Sequence, residues 1–263
     1  MKKYISLCMV IGTMFFLSLC SSVQAQKNMV EITGGSYSSI LPDTKGEPVS
    51  VSPFYLDKYL VSNGDYLKFV EENPEWRKSL VSPLYADKDY LSHWKSDLNP
   101  GDGTNARLDQ PITHVSWFAA SAYARWSYGR LATLHEWEYA AQLLNGNKNG
   151  RQLIGNKLIG WFSAVETKNP SSVTEAKIKN SAGVEGLHGI VLEWVQDFNP
   201  PLADNQTLDC GTVGRLGSGT DTYDYAATIR YVIRMNMDAK NCTSLFGFRV
   251  AYSDMNSHKK ENL

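Results

Sequence analysis

The chain has 263 residues, with 26 lysine or arginine and 27 aspartate or glutamate side chains, for a formal net charge of −1. That balance, with the basic residues scattered, excludes a nucleic-acid groove and an electrostatic membrane-surface patch. Fourteen tyrosines and seven tryptophans point to a loop-rich globular fold pinned by large side chains.

The first 25 residues read as a secretory signal. Lys2 and Lys3 open it, an apolar run from Ile5 to Leu19 follows, and Val23-Gln24-Ala25 supplies the small-residue cleavage pattern ahead of Gln26. The run is shorter than the roughly 20 apolar residues of a membrane span, and nothing later in the chain is a candidate span. Cys20 raises a lipid anchor as the alternative, which Leu19 immediately before it disfavours. The expected location is therefore the periplasm or full secretion. Cleavage leaves 238 of the 263 residues, enough for one large domain over 26–252 and a polar tail at 253–263, and takes the net charge to −3. It also removes Cys8 and Cys20. The remaining pair, Cys210 and Cys242, favours a disulfide in an oxidising compartment; a soft-metal or redox pair of thiols is the sharper alternative.

Residues 29–37, MVEITGGSY, predict a strand running into a Gly-Gly turn, and 49–62 are β-rich and alternating. Ser62, with Asp65 three residues on, caps a short helix whose apolar stripe is Tyr66, Phe69 and Val70. Residues 73–110 mix turn formers and aromatic residues without a period and predict a long ordered excursion. Ser116 starts a helix through WFAASAYARW. Residues 145–182 read as polar and irregular, and SLFGFRVAY as a closing strand.

The run RLATLHEWEYAA at 130–141 concentrates two glutamates. Thr133 and Glu136 form a capping box, in which the hydroxyl takes the Glu136 N–H and the carboxylate reaches back to the Thr133 N–H. Glu138, two residues on, lies about 200° around the helix, so the carboxylates face apart and cannot share a substrate. The expected role is scaffolding, with Leu134, Trp137, Tyr139 or Ala140, and Ala141 docking the helix on the core.

The histidines at 93, 114, 135, 188 and 258 form no H-x-H, H-x-x-x-H or H-E-x-x-H spacing. GRLGSG at 214–219 does not sit between a strand and a helix and reads as a loop rather than a nucleotide cradle. Arg230 and Arg234, four apart and near Asp221 and Asp224, suit either an anion clamp or buried structural ion pairs, the second being favoured.

Five blocks occur in order: VSPFYLDKYLVSNGDYLKFV, PITHVSWFAASAYARW, GRLATLHEWEYAA, GLHGIVLEWVQDF and GFRV. Over about residues 29–252 the chain resembles the formylglycine-generating enzyme, or sulfatase-modifying factor, family. The stretch NPEWRKSLVSPLYADKDYLSHWKSD, and CGT ahead of YDYAATIRYVIR, are similar to a bacterial subgroup encoded beside copper nitrite reductases and other denitrification genes. The resemblance implies a single α+β domain related to C-type lectins, with little regular secondary structure. The family's enzyme oxidises a client cysteine with copper(I) held by two cysteines just before an Arg-x-x-x-Arg run, here Arg230 to Arg234. Counting back, those positions fall near Asp221 and Ala226, neither of them a thiol, so the resemblance implies no oxidase activity and no copper site there. A family calcium loop, D/N-x-x-G-x-V-x-E, matches at Gly186, Gly189, Val191 and Glu193. Gly186 lacks the side-chain oxygen, and Glu185 lies one position off. A degenerate calcium site is one expectation; a Glu193 carboxylate accepting loop N–H groups is the other.

The function expected from these readings is a binding or accessory protein for a periplasmic client, such as a maturing metalloenzyme. Two alternatives stand beside it. One is an oxidoreductase or copper-handling protein using Cys210 and Cys242. The other is a lectin-like ligand binder.

Overall fold

The structure is a computed structural model, and it describes residues 28–39, 47–101, 108–143, 148–163, 172–174, 178–197 and 222–253. The signal segment, Cys210, Asp221 and the GRLGSG loop lie outside these residues.

Among the described residues, eight short strands and five α-helices run β1 (Met29–Ile32), β2 (Gly35–Ser38), β3 (Pro48–Val51), β4 (Phe54–Asp57), α1 (Asn63–Glu72), α2 (Trp117–Trp126), β5 (Arg130–Leu131), α3 (Leu134–Gln142), α4 (Lys148–Phe162), β6 (Leu192–Glu193), α5 (Thr222–Met235), β7 (Phe246–Gly247) and β8 (Val250–Tyr252), with one 3-10 turn at Pro74–Trp76. The main sheet is antiparallel in the order β1-β4-β8-β5. β2 and β3 form an antiparallel ribbon, and β6 pairs with β7 in parallel. The domain is a single α+β unit of low regular content.

The predicted helix starts are where the side chains can cap them. Ser62 Oγ accepts from the Asp65 N–H at 3.1 Å, and Ser116 Oγ accepts from the Ala119 N–H at 3.1 Å. Each cap satisfies a backbone donor that the first turn leaves orphaned. Tyr66, Phe69 and Val70 are buried, as the stripe requires. Tyr66 stacks on Tyr123 of α2 at 5.7 Å and meets Phe248 edge-on, so an aromatic layer joins both helices to the β7–β8 segment. Two indoles then clasp loops in place of longer strands: Trp117 Nε1 donates to Val195 O and Trp194 Nε1 to Val115 O, both at 2.9 Å.

The excursion over 73–101 is ordered by its own polar contacts. Ser79 donates to Asp97 through both its N–H and its hydroxyl, at 2.8 and 2.6 Å. Leu91 N–H donates to His114 O at 2.8 Å. Both residues are left-handed, with φ of 46° and 52°, a conformation that disfavours side chains with a Cβ.

Two expectations are corrected. Residues 145–182 are not irregular throughout, because 148–162 form α4. Ile154, Leu158, Trp161 and Phe162 recur at helical spacing, and Gly155 allows close crossing on α5. A Cβ there would come within 2.4 Å of Thr222 Oγ1 and of the Tyr223 nitrogen. SLFGFRVAY is also not one strand. Its β7 half pairs with β6 and its β8 half with β4 and β5, and the chain changes sheets at Phe248 and Arg249.

Candidate functional site

β5 delivers the chain directly into Thr133, which caps α3 in the expected box: Glu136 N–H to Thr133 Oγ1 at 3.1 Å, and Thr133 N–H to Glu136 Oε2 at 2.8 Å. Arg130 grips the same carboxylate through two hydrogen bonds of 2.6 Å. Partial burial would raise the Glu136 carboxyl, but those hydrogen bonds from Arg130 and the Thr133 N–H hold it below its ordinary value. Asp197 adds a second carboxylate at this helix start, accepting the Leu134 N–H at 2.6 Å.

Glu138 points the other way and is 2 % exposed. It accepts from Arg230 Nη2 at 2.8 Å and from Arg234 Nη1 at 3.2 Å. Burial alone would raise its carboxyl; the two guanidinium charges outweigh that and hold it low. The arginines face one side of α5 because they are four residues apart. Both also lie over Trp137, with Arg230 Cζ at 5.1 Å and Arg234 Cζ at 4.6 Å from ring centroids of the indole. Asp224, which the sequence placed near these arginines, instead pairs with Arg151 of α4.

His188 and Tyr223 complete the cluster. The His188 ring meets Trp137 and Tyr223 edge-on, at 6.1 and 5.8 Å. Burial, with the charge of Arg230, pushes the His188 imidazole down to about 3, so it is neutral at physiological pH. Its Nε2 lies 3.1 Å from Ala141 O, which makes Nε2 the protonated nitrogen and leaves Nδ1 as an acceptor. Sequence reasoning named the arginines but not Glu138, Trp137, His188 or Tyr223 as their surroundings. Only the presence of two arginines on one helix face hinted that a buried acid had to exist.

Glu193 lies beside this cluster and is fully buried. Arg249 takes both of its oxygens, Nε to Oε2 at 2.8 Å and Nη2 to Oε1 at 2.9 Å. The remaining Arg249 donors go to Asp57 O, Lys58 O and Glu185 O. Gly186 and Gly189 are left-handed, with φ of 73° and 81°, and shape the loop that brings Val191 and Glu193 here. A calcium ion at Glu193 would have to displace a guanidinium, so these residues do not fit the ion. No group of three His, Cys, Asp or Glu side chains converges as metal ligands would, among the described residues.

Cys242 is a buried free thiol in the other half of the core, donating to Lys240 O at 3.2 Å. Burial pushes the thiol well up, away from the thiolate that a metal or a redox partner needs. Ala226, by contrast, packs with Leu158 and Tyr223 where α4 meets α5. The two positions thus belong to different hydrophobic clusters.

The sulfatase-modifying factor enzyme 1-like domain matches residues 18–254. The chain belongs to this family. Among the relatives of this sulfatase-modifying-factor chain is mouse (Mus musculus) inactive C-alpha-formylglycine-generating enzyme 2, 28 % identical over 271 residues, covering 86 % of this chain and 85 % of the relative. The formylglycine-generating enzyme of Streptomyces coelicolor is 27 % identical over 256 residues, covering 80 % of this chain and 81 % of the relative. Of the solved structures, PvdO from Pseudomonas aeruginosa aligns with a TM-score of 0.49 and 18 % identity, covering 86 % of this chain and 94 % of that one. No helix among the described residues is long and apolar enough to cross a membrane.

Proposed function

We propose that this chain is an exported, non-oxidase member of the sulfatase-modifying-factor family that binds a client protein, with maturation of a periplasmic metalloenzyme as its setting. The observation that carries the reading is Ala226. It falls where the family resemblance expects the second copper thiolate, is 0 % exposed, and presents a methyl group to Leu158 and Tyr223. A methyl has no donor for copper(I), and Asp221, at the other expected position, offers a hard oxygen to a soft ion. The residues present do not fit a two-thiolate copper centre. The mouse relative named as inactive supports the same reading, and so does the basic-apolar-small pattern of residues 1–25. The similarity of residues 73–97 to the subgroup found near copper nitrite reductases supports the setting. On that excursion Leu80, Leu84 and Tyr85 are 58, 75 and 47 % exposed, an apolar surface of the kind that meets another molecule.

The test has two arms. The reduced protein, supplied with copper(I), oxygen and a cysteine peptide of sulfatase type, is assayed for an aldehyde product by mass spectrometry. None is expected, and turnover would end the non-oxidase reading. Cross-linking in the exported compartment is then compared for the wild type and Leu84→Asp. A partner captured by the first and lost with the second supports client binding; repeated recovery of no partner refutes it.

A further inference from the structure

Three buried arginines invite comparison. Arg249 uses all of its donors on Glu193 and on three backbone carbonyls. Arg230, equally buried, has one hydrogen bond to Glu138, while its Nε and Nη1 have no partner among the described residues; the same holds for Arg234 Nη2. Trp137 Nε1 and the Tyr223 hydroxyl are also buried without a hydrogen bond among the described residues. Tyr223 lies beside Arg230, whose Cζ is 5.7 Å from its ring centroid. Leaving such groups unmet costs about 1–3 kcal/mol each, more for charged ones.

The charge balance points the same way. Glu193 pairs with Arg249, and Arg230 and Arg234 share the single carboxylate of Glu138, so among the described residues that pair of guanidinium groups carries one positive charge more than its ion-pair partner supplies. So does the balance of donors and acceptors. Among the described residues, five unmet atoms of Trp137, Tyr223, Arg230 and Arg234 can donate, while only two, His188 Nδ1 and the Tyr223 hydroxyl, can accept. Water accepting from these donors would bring hydrogens of its own with only those two atoms to receive them. A monoanion accepts only, and cancels the surplus charge.

We propose that the Trp137–Tyr223–Arg230–Arg234 cluster binds a small inorganic monoanion of halide size, held by guanidinium and indole N–H groups as an internal structural ligand. The site is independent of the client-binding reading: it lies in the core between α3 and α5, and it stabilises the domain whether or not a partner exists.

The experiment is thermal unfolding of the purified mature protein in sodium chloride and sodium bromide. Ionic strength is held constant with sodium gluconate, whose anion is too large to be enclosed. Saturable stabilisation by the halides is expected, because a ligand bound only by the folded state raises its stability by mass action. Trp137→Phe keeps an aromatic ring but removes one donor, so it should weaken apparent halide affinity by roughly 10- to 100-fold, the value of one hydrogen bond to a charged group. Crystals grown in bromide give a second reading that does not depend on a variant folding. An anomalous peak within hydrogen-bonding distance of Arg230 Nη1 or Arg234 Nη2 confirms the site. Halide stabilisation that is absent, or identical in Trp137→Phe, together with no anomalous peak, overturns it in favour of ordered water.

Discussion

Replacing Glu138 by glutamine isolates what the buried triad contributes. The substitution keeps the shape of the side chain and removes only its charge. Glu138 is 2 % exposed and receives guanidinium groups at 2.8 and 3.2 Å. The glutamine carbonyl can still accept from one arginine, but its amide would point donors at the other. At least one charge-assisted hydrogen bond is lost, worth about 1.5–3 kcal/mol. A second buried arginine is also left without a counter-charge. Breaking one side of a buried ion pair costs about 3–5 kcal/mol in total. For a domain of this size that is a fall of roughly 6–20 °C in Tm, at about 2–4 °C per kcal/mol. Urea unfolding followed by tryptophan fluorescence, alongside calorimetry, reads both quantities. Glu136→Gln serves as the internal control, because that carboxylate sits at the helix start, where a lost cap costs about 0.5–2 kcal/mol. If Glu138→Gln proves no more destabilising than Glu136→Gln, the triad does not hold α3 to α5 and the reasoning fails.

Other outcomes follow from the same geometry. Thr133→Ala removes one half of the capping box and should lower stability by about 0.5–2 kcal/mol without changing the urea m-value. Gly129→Ala places a methyl 2.3 Å from Val250 Cγ1 and 2.8 Å from Ala251 O, so it should open the β5–β8 pairing and be clearly destabilising in the same assay. His188 is held neutral with its folded pKa lowered to about 3, against an unfolded value of about 6.5. Its contribution is thus fully present above pH 6.5 and is lost as pH falls from there towards 3, by about 1.4 kcal/mol per pH unit. Stability–pH curves of wild type and His188→Gln should diverge only over that window; parallel curves would contradict the assignment. Calcium and EDTA should leave Tm unmoved, since Arg249 already fills both oxygens of Glu193; a calcium-dependent rise would show that the pair yields.

The parts of the fold readable from sequence were those written locally. Ser62 with Asp65, Ser116, and Thr133 with Glu136 each announce a helix within one turn, and each cap is present. α4 escaped because Gly155 and Gly160 depress helix propensity, while the reason for Gly155, its contact with Thr222, lies on another helix. The strand expected over SLFGFRVAY failed on Arg249, which reads as an exposed charge but is drawn inward by Glu193, 56 residues earlier, and breaks the pairing. Half of the site was legible and half was not, for a similar reason. The four-residue spacing of Arg230 and Arg234 predicts a shared face, but their counter-charge, Glu138, is 92 residues from Arg230. The two-residue step from Glu136 told that Glu138 faces elsewhere; it carried nothing about what it faces.

β8 comes late in the chain yet lies in the interior of the four-stranded sheet, between β4 and β5. Asp57 waits 193 residues for the Val250 N–H that binds its carboxylate. Synthesis at about 5–20 residues per second makes that interval roughly 10–40 seconds. Until residues 250–252 emerge, β4 and β5 each present an unpaired edge, and the sheet cannot close however favourable its earlier parts are. The order of the strands therefore sets a clock: the nascent chain is held open, accessible to chaperones and to any machinery that needs it unfolded, until one three-residue strand slots between its neighbours.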